Sequence, residues 1–337
     1  TFDLVLMPRP QEYYEHGMRI SRSIPLWSLG NNRYTESSSD TQLERRREAL
    51  VSAARYDCNV YSEIAKMALG WWSFVDEGRL LRRIESLAPL SGRDHRELLG
   101  FLAMMIRYGE APEFPESLRV ALSEMLPKLE FSSLEDEALP EPAGEPSELL
   151  ESVSEILAGQ RCTGARQDGG GWTGQQRCAH GERRALAWMR TVAAMGLRVW
   201  HSDTAFEETI LALAHLTGFA EGEEVWQMAT VLLDKLLFQL AVNSFVGVFG
   251  ASRGTTATAH LFGGHLGATS GITKLLWGQG VFNPSFAATV SLACLTEYEV
   301  PLMFRDIATQ SPAEGLWSRE RHGLGGVSTA TFRTPAS

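Results

Sequence analysis

Cysteine is scarce in this chain, and long uninterrupted apolar runs are missing. The 337 residues include 4 cysteines, too few for a disulfide scaffold at this length. Cys58 and Cys294 fall in apolar helical patterns and are predicted core residues, whereas Cys162 and Cys178 flank a glycine-rich loop and could pair. The most apolar stretch, 231–249, is interrupted by charged and amide side chains. We therefore expect no transmembrane segment and no membrane partner.

An excess of basic residues is missing as well. Lys and Arg number 31 against 41 Asp and Glu, and the resulting net charge of -10 would repel a phosphate backbone. No nucleic-acid partner is expected. The first residue is threonine and no basic-then-apolar leader follows. The protein is expected to be secreted or periplasmic if a signal has been removed, and cytoplasmic otherwise.

Strand-like alternation is nearly absent before about residue 327, and apolar residues recur instead at helical spacing. Residues 1–40 show little periodicity and are predicted to form an N-terminal arm. The spacing within 50–72 predicts one long helix, and roughly ten helices are predicted along 41–337. An acidic, proline-containing stretch at 131–147 is predicted to be a loop. The sequence thus predicts an all-α array, and it excludes a parallel-sheet enzyme.

One short motif suggests a serine hydrolase. GASRG (250–254) has the G-x-S-x-G spelling of a nucleophile elbow, and an acid and a histidine follow in hydrolase order. The residues of this remote alternative are Ser252, Asp306 and His322. The preceding segment is helical and no βαβ alternation surrounds the motif, so a plain loop is favoured over a catalytic triad.

Two further motifs lack the context that their functions need. Gly169, Gly171 and Gly174 match G-x-G-x-x-G, but no strand precedes them. A flexible loop is predicted there, and no cofactor is expected. His260 and His265 are five residues apart, whereas two zinc-binding histidines on one helix face are four apart. No metal site is predicted.

The segment that begins at Trp200 has a structural and a functional interpretation. Thr204 and Glu207, three residues later, match a capping box at the start of a helix. The functional alternative is that His201 and Asp203 converge with Trp200 at the mouth of this helix, where an aromatic face can stack on a sugar ring. Both interpretations can hold together.

Five segments carry a resemblance to a known family. They are SEILAGQ (154–160), WHSDTAFEE (200–208), VLLDKLLFQLAVNSFVGVFGASRG (231–254), GATSGITKLLWGQGVFN (267–283) and TFRTP (331–335). From about residue 149 onward the chain resembles uncharacterised bacterial and fungal proteins of a helical-toroid, polysaccharide-lyase-like family. The resemblance implies an α/α-toroid-type helical domain over 41–337. It also implies that TFRTP leads into a β-rich carboxy-terminal region of a longer protein.

The chain differs from this family at the positions where the family has its proton-transferring residues. Ahead of SEILAGQ the family has glutamate, asparagine and histidine, whereas here Glu145 is followed by Pro146 and serine. After the FG of the third segment the family has a histidine, a glycine, an arginine and soon a tyrosine, whereas here Arg253, Gly254, Thr255 and Ala257 occupy those places. Val199 and Ala205 replace a glutamate and a tyrosine around the tryptophan. The usual proton-handling residues are largely absent.

The resemblance implies a protein that binds or cleaves a polysaccharide or oligosaccharide, by β-elimination at a uronate. Elimination requires neutralising the carboxylate, removing the C5 proton and protonating the leaving oxygen. The candidate catalytic residues are His201, Asp203, Arg253 and Glu207, and the candidate substrate-binding residues are Trp200, Glu208, His260, His265 and Glu145.

Two alternatives to a lyase stay open. One is a non-catalytic glycan-binding relative, which the missing proton-handling residues favour. The other is a glycoside hydrolase that uses Asp203 with Glu207 or Glu208, whose carboxyl groups would then lie about 5 to 9.5 Å apart.

Overall fold

The predicted helix-rich fold is confirmed. The computed structural model describes residues 41–56, 59–87, 95–129, 131, 144–162, 172–250, 252–256, 263–310, 312–323 and 326–334. Within these residues lie twelve α-helices and two small antiparallel hairpins. The helices are α1 (Gln42–Ala54), α2 (Val60–Ala68), α3 (Glu77–Ser86), α4 (His95–Tyr108), α5 (Glu116–Met125), α6 (Pro146–Arg161), α7 (Gly174–Met195), α8 (Asp203–Phe219), α9 (Glu223–Val242), α10 (Ser270–Trp277), α11 (Ala287–Cys294) and α12 (Leu302–Thr309). The strands are β1 (Ser244–Phe245), β2 (Val248–Phe249), β3 (Leu316–His322) and β4 (Val327–Arg333).

The single long helix predicted over 50–72 is wrong, because two helices occupy this stretch. Helix α1 ends at Ala54 and α2 starts after Asn59, whose side chain accepts a hydrogen bond from the backbone N–H of Tyr61 at 2.8 Å. The backbone N–H of Asn59 in turn donates to Ser62 Oγ at 2.9 Å. These bonds satisfy N–H groups that an uninterrupted helix would use internally, so they define a new helix start. Cys58 lies outside the described residues.

Helices α6 and α7 approach closely through glycine. A Cβ atom on Gly159 would lie 2.6 Å from the carbonyl oxygen of Gly174, and one on Gly181 would lie 2.9 Å from that of Ser152. Because these neighbours are backbone atoms, they cannot move aside for a larger residue. The pair forms one side of the core.

Helix α8 lies in the middle of the fold, in contact with α4, α6, α9 and α11. Most of its 17 residues are buried, including the polar Asp203, Glu207 and His215. Buried polar groups need partners, and much of the site chemistry follows from how these side chains find them. The first two turns of α8 therefore determine where the candidate site forms.

Helix α9 is long and apolar enough to cross a membrane by length and composition alone. Half of its most apolar window is buried inside the fold, against α7, α8 and α12. Its polar residues also have internal partners: Tyr298 donates to Asp234 Oδ1 at 2.5 Å. This burial is typical of the core helix of a folded domain.

The predicted pairing of Cys162 with Cys178 is wrong, since both are free thiols. The Cys178 side chain lies against Gly159, three residues before Cys162. Burial raises the pKa of both thiols, that of Cys178 to about 12 with help from Glu182 and Glu221. Neither residue is a reactive thiolate at neutral pH.

Two predicted loop regions need revision. Helix α6 begins at Pro146, so the end of the loop predicted over 131–147 is helical. Proline is well tolerated at this first position, where its missing N–H has no helical partner anyway. Gly174 of the glycine motif is the first residue of α7. Residues 132–143, the arm at 1–40 and the other two motif glycines lie outside the described residues.

The C-terminal hairpin pairs β3 with β4 in a register from Leu316↔Arg333 to His322↔Val327. Strand β4 confirms the strand expected near residue 327, but β3 was not predicted. Alternation along β3 exposes Trp317 and turns Glu320 and His322 towards the helices. Arg333 anchors β4, because its guanidinium donates to four backbone carbonyl oxygens, those of Ile307, Ala241 (3.1 Å), Ser244 (2.7 Å) and Gln310 (2.9 Å).

Candidate functional site at the mouth of helix α8

The turn before α8 holds His201 in an unusual conformation. His201 is fully buried and has a φ of 49°, in the left-handed region that non-glycine residues rarely occupy. The preceding carbonyl, of Trp200, accepts a hydrogen bond from the N–H of Gly254 at 2.8 Å. A Cβ atom on Gly254 would lie 2.8 Å from the Trp200 ring. Strained backbone of this kind costs about 1 to 3 kcal/mol and often marks a functional position.

The ring of His201 is held from both sides. Its Nδ1 lies 3.0 Å from the carbonyl oxygen of Ser252, and its Nε2 lies 3.3 Å from Oε2 of Glu320. A carbonyl oxygen can only accept a hydrogen bond, so Nδ1 carries the proton and Nε2 faces the carboxylate.

A second histidine, His322, faces the same carboxylate. Its Nε2 lies 3.4 Å from Oε2 of Glu320 and 3.2 Å from Oγ1 of Thr329. The centroids of the His201 and His322 rings are 4.7 Å apart, at an interplanar angle of 78°. We call His201, Glu320 and His322 the imidazole–carboxylate cluster.

Two amides hold the carboxylate of the cluster in place. The Asn243 side chain donates to Oε1 of Glu320 at 2.6 Å, and that of Gln239 donates to Oε2 at 2.8 Å. Burial raises the pKa of Glu320, but interactions with His201 and Asn243 outweigh burial and leave the pKa below its usual value. Burial lowers the pKa of His322 to about 4, helped by the nearby His201. At neutral pH Glu320 is ionised and His322 is neutral.

An ion pair lies next to the cluster. Asp203, the first residue of α8, accepts from Oγ1 of Thr269 at 2.7 Å and pairs with the guanidinium of Arg253. Arg253 also donates to the carbonyl oxygen of Phe249 and to Oγ1 of Thr256 at 3.1 Å. The helix N-terminus favours the Asp203 carboxylate as well. Arg253 and Asp203 thus neutralise each other, and both side chains are largely buried.

The predicted capping box of Thr204 with Glu207 is wrong. Helix α8 starts at Asp203, and its N-cap is Ser202, whose hydroxyl accepts from the N–H of Ala205 at 3.5 Å. Glu207 therefore lies two positions too far along the helix to close a box with the true N-cap.

Glu207 instead ties α8 to two other helices. Its fully buried carboxylate accepts from Arg96 of α4 at 2.7 Å and from the N–H of Ala288 of α11 at 3.0 Å. Glu208, partly exposed, lies 4.0 Å from the Arg96 guanidinium, and burial raises its pKa. Both carboxylates lie beside a structural arginine.

The structure places the remaining predicted residues as follows. Glu145 lies at the N-terminus of α6, with its carboxylate 3.4 Å from Arg198 and its carbonyl oxygen accepting from the Trp188 indole at 2.9 Å. His260 and the side chain of His265 lie outside the described residues. The structure therefore joins His201, Asp203 and Arg253, with Trp200 at the edge, and it gives Glu207, Glu208 and Glu145 other partners.

The residues of the predicted serine triad have other surroundings. Asp306 is exposed on α12, and the carboxylate beside His322 is that of Glu320. Ser252 contributes its carbonyl oxygen to His201. The residues before the motif form a hairpin of two-residue strands, whereas a nucleophile elbow follows a strand of a parallel sheet.

Sequence reasoning did not find Glu320, and it named His322 only in the serine-hydrolase alternative. The donor atoms of His201, Glu320 and His322 all lie within 4.8 Å of one another, a spacing that could hold a metal ion. The prediction that no metal site exists was based on His260 and His265 alone. Glu320 and His322 are two apart, which places them on one face of a strand, but their partner His201 lies 119 residues from Glu320 in the sequence.

Comparisons with protein-family models, with curated proteins and with solved structures give no match. The function must therefore be inferred from the site itself.

Proposed function

We propose that the protein is a carbohydrate-active helical protein with an α/α-toroid-type arrangement, which acts by β-elimination on a uronate-containing polysaccharide. The observation that carries the proposal is that Glu320 and His322 join His201 beside Arg253. The hairpin thereby supplies proton-handling groups next to positions where residues of the resembling family are replaced. An imidazole, a carboxylate and a guanidinium are the group types that elimination requires.

Each group has a distinct role in the proposed reaction. Arg253 neutralises the uronate carboxylate, which takes the place of Asp203 on the guanidinium. Nε2 of His201 removes the C5 proton, and the C–H electron pair forms the C4–C5 double bond as the C4–O bond breaks. Glu320 stabilises the imidazolium, which then returns its proton to the leaving oxygen. Trp200 offers its ring face to a sugar.

One observation favours a second function, non-catalytic glycan binding. Arg253 is already neutralised by Asp203, and the His201 side chain is only 1% exposed. A substrate must therefore displace Asp203 and open the turn before elimination can begin. A glycan-binding protein needs neither change, because a sugar can stack on Trp200 and form hydrogen bonds with polar groups at the edge of the site.

A glycoside hydrolase receives less support. Its two acids would be Asp203 and Glu207 or Glu208, and the first two are ion-paired with Arg253 and Arg96. A general acid or nucleophile must reach the sugar, whereas arginine holds both of these buried carboxylates.

The test is an activity assay on uronate-containing and neutral polysaccharides, in which unsaturated ends are followed by ultraviolet absorbance and reducing ends in parallel. We expect unsaturated ends from a uronate polymer, and at least about a 100-fold loss of rate in His201→Gln. His180→Gln, which alters a buried histidine of the α6–α7 pair, is the matched control and should retain activity. Reducing ends without absorbance would indicate hydrolysis, and binding without either product would favour the second function.

A further inference from the structure

The spacing within the imidazole–carboxylate cluster is unusual for an ion pair. Nε2 of His201 and Nε2 of His322 lie 3.3 and 3.4 Å from Oε2 of Glu320. Charge-assisted hydrogen bonds between nitrogen and carboxylate are about 2.7 to 2.9 Å long. Both contacts are longer than that, although the three side chains are largely buried and contact one another directly.

The same distances fit the edges of a metal coordination polyhedron. Zinc binds imidazole nitrogen and carboxylate oxygen at about 2.0 to 2.2 Å in tetrahedral geometry, which places neighbouring ligand atoms about 3.3 to 3.6 Å apart. Two of the three edges in the cluster have this length, and the donor atoms of all three residues lie within 4.8 Å of one another. The geometry therefore needs little adjustment to accept an ion.

The residues around the cluster orient it as a metal site requires. The contact of His201 Nδ1 with the Ser252 carbonyl orients the ring so that Nε2 is directed at Glu320. The amides of Gln239 and Asn243 fix the carboxylate. Backbone carbonyl and amide partners of this kind hold histidine and carboxylate ligands in known metal sites.

One neighbour competes with an ion for His322. Oγ1 of Thr329 lies 3.2 Å from Nε2 of His322. When an ion enters, this hydroxyl must turn away or become a ligand itself. A rotation about one side-chain bond accomplishes either change, so Thr329 leaves the site accessible.

We infer that His201, Glu320 and His322 bind a divalent transition-metal ion of the zinc class and leave a fourth position for water or another oxygen ligand. Two imidazoles and one glutamate form a donor set that zinc prefers. The ion would tie the β3–β4 hairpin to the turn before α8. The inference goes beyond the proposed function, because ion and substrate proton compete for the same Nε2 lone pair of His201.

The experiment uses the full chain, stripped with a chelator, and zinc chloride as the probe in equilibrium dialysis with metal analysis. We expect one zinc ion per chain, and at least about a 100-fold weaker affinity in Glu320→Gln and in His322→Gln. Asn243→Ala, which removes a partner of the carboxylate and leaves all three ligands in place, should weaken binding by about 10- to 100-fold. His180→Gln is the control and should bind zinc as the unaltered chain does.

A second measurement covers variants that fail to fold. The unaltered chain is titrated with cobalt(II), and we expect the intense visible absorption of a four-coordinate site, displaced by zinc. Sub-stoichiometric zinc, absence of this spectrum, or equal zinc affinity in the folded cluster variants and the control would each overturn the inference. A chain that binds zinc but cleaves no polysaccharide would leave the metal site standing and remove the lyase. If both are real, zinc should suppress elimination and a chelator should restore it.

Discussion

Two regions of the molecule contain a buried histidine next to a glutamate, and they differ in how the charge is balanced. In the α6–α7 pair, Nδ1 of His180 lies 2.9 and 3.0 Å from the two carboxylate oxygens of Glu155. Arg177 and Arg184 approach the same carboxylate at 3.7 and 3.5 Å. We call these four residues the Glu155 network. It brings several cationic groups around one anion.

The imidazole–carboxylate cluster at α8 has fewer cationic groups around its carboxylate. Its distances from imidazole to carboxylate are 3.3 and 3.4 Å, and amides rather than arginines complete the surroundings of Glu320. The Glu155 network is thus a closed ion network between two adjacent helices. The cluster has a deficit of positive charge that a substrate proton or a metal ion could fill. A buried histidine–glutamate pair is therefore a functional candidate only when the remaining partners leave its charge unbalanced.

The largest expected effect is a loss of stability when the Glu155 network is disrupted. Glu155→Ala removes the anion that His180, Arg177 and Arg184 share, and leaves buried cations without it. We expect a loss of about 3 to 5 kcal/mol in the free energy of unfolding. Glu320→Ala should lose only about 1 to 3 kcal/mol, since it leaves mainly neutral hydrogen-bonding groups behind. Urea unfolding of both variants measures the difference, and equal losses would contradict the distinction between the two regions.

A further buried histidine, His215 of α8, sharpens the comparison because no carboxylate among the described residues pairs with it. Its Nδ1 donates to the Leu211 carbonyl at 2.7 Å, and burial lowers its pKa to about 4. The unfolded chain binds a proton near pH 6.5 and the folded chain does not, so stability is complete above that pH. It should fall by about 1.4 kcal/mol per pH unit between about 6.5 and 4 from this residue.

The measurement is chemical denaturation across that pH range, with His215→Met as the comparison variant. Methionine fills a similar volume without a titrating group, so the slope of stability against pH should decrease. An unchanged slope would show that His215 is protonated equally in the folded and unfolded states.

A smaller effect tests how tightly each region is packed. Gly159→Ala would place a Cβ atom 2.6 Å from a backbone oxygen, whereas Gly254→Ala would place one 2.8 Å from the Trp200 ring. Backbone cannot yield and a half-buried ring can, so we expect about 1 to 3 kcal/mol of destabilisation for Gly159→Ala and less for Gly254→Ala. Melting temperatures rank the two, and the reverse order would mean that the turn before α8 is the more rigid region.

The smallest effect concerns helix caps. The Ser202 hydroxyl accepts from the N–H of Ala205 at 3.5 Å, whereas the Asn59 side chain caps α2 at 2.8 Å. We expect Asn59→Ala to cost about 1 kcal/mol and Ser202→Ala about 0.5 kcal/mol. Thermal unfolding of both variants provides the measurement. A larger loss for Ser202→Ala would imply that the hydroxyl also positions His201.

Periodicity in the sequence predicted the helices but not where they break or what pairs with them. The apolar spacing stays in phase from Leu50 to Tyr61, so only the capping contacts of Asn59 reveal two helices. Strand β3 was not predicted, because its alternating charged residues indicate a strand only when the pairing with β4 is known. The segment around His201 was found because helix starts have local signals.

The rest of the site depends on contacts that no local pattern encodes. Glu207 follows Thr204 at capping-box spacing, yet Arg96 and Ala288, from distant helices, determine its partners. Glu320 likewise meets His201 across 119 residues. Spacing rules describe neighbours on one helix or strand, whereas long-range pairing depends on the packing of the whole fold.

That sequence separation has a consequence for how the protein is made. Domains form from the amino-terminal side as the chain is synthesised, and contacts between distant residues are the slowest to form. Helices α6 to α9 can begin to pack on one another before β3 leaves the ribosome, but the turn at His201 then lacks the strand that holds its ring. The left-handed backbone of His201 is therefore fully held in place only when the hairpin docks, and the nascent protein acquires its helices first and its imidazole–carboxylate cluster last.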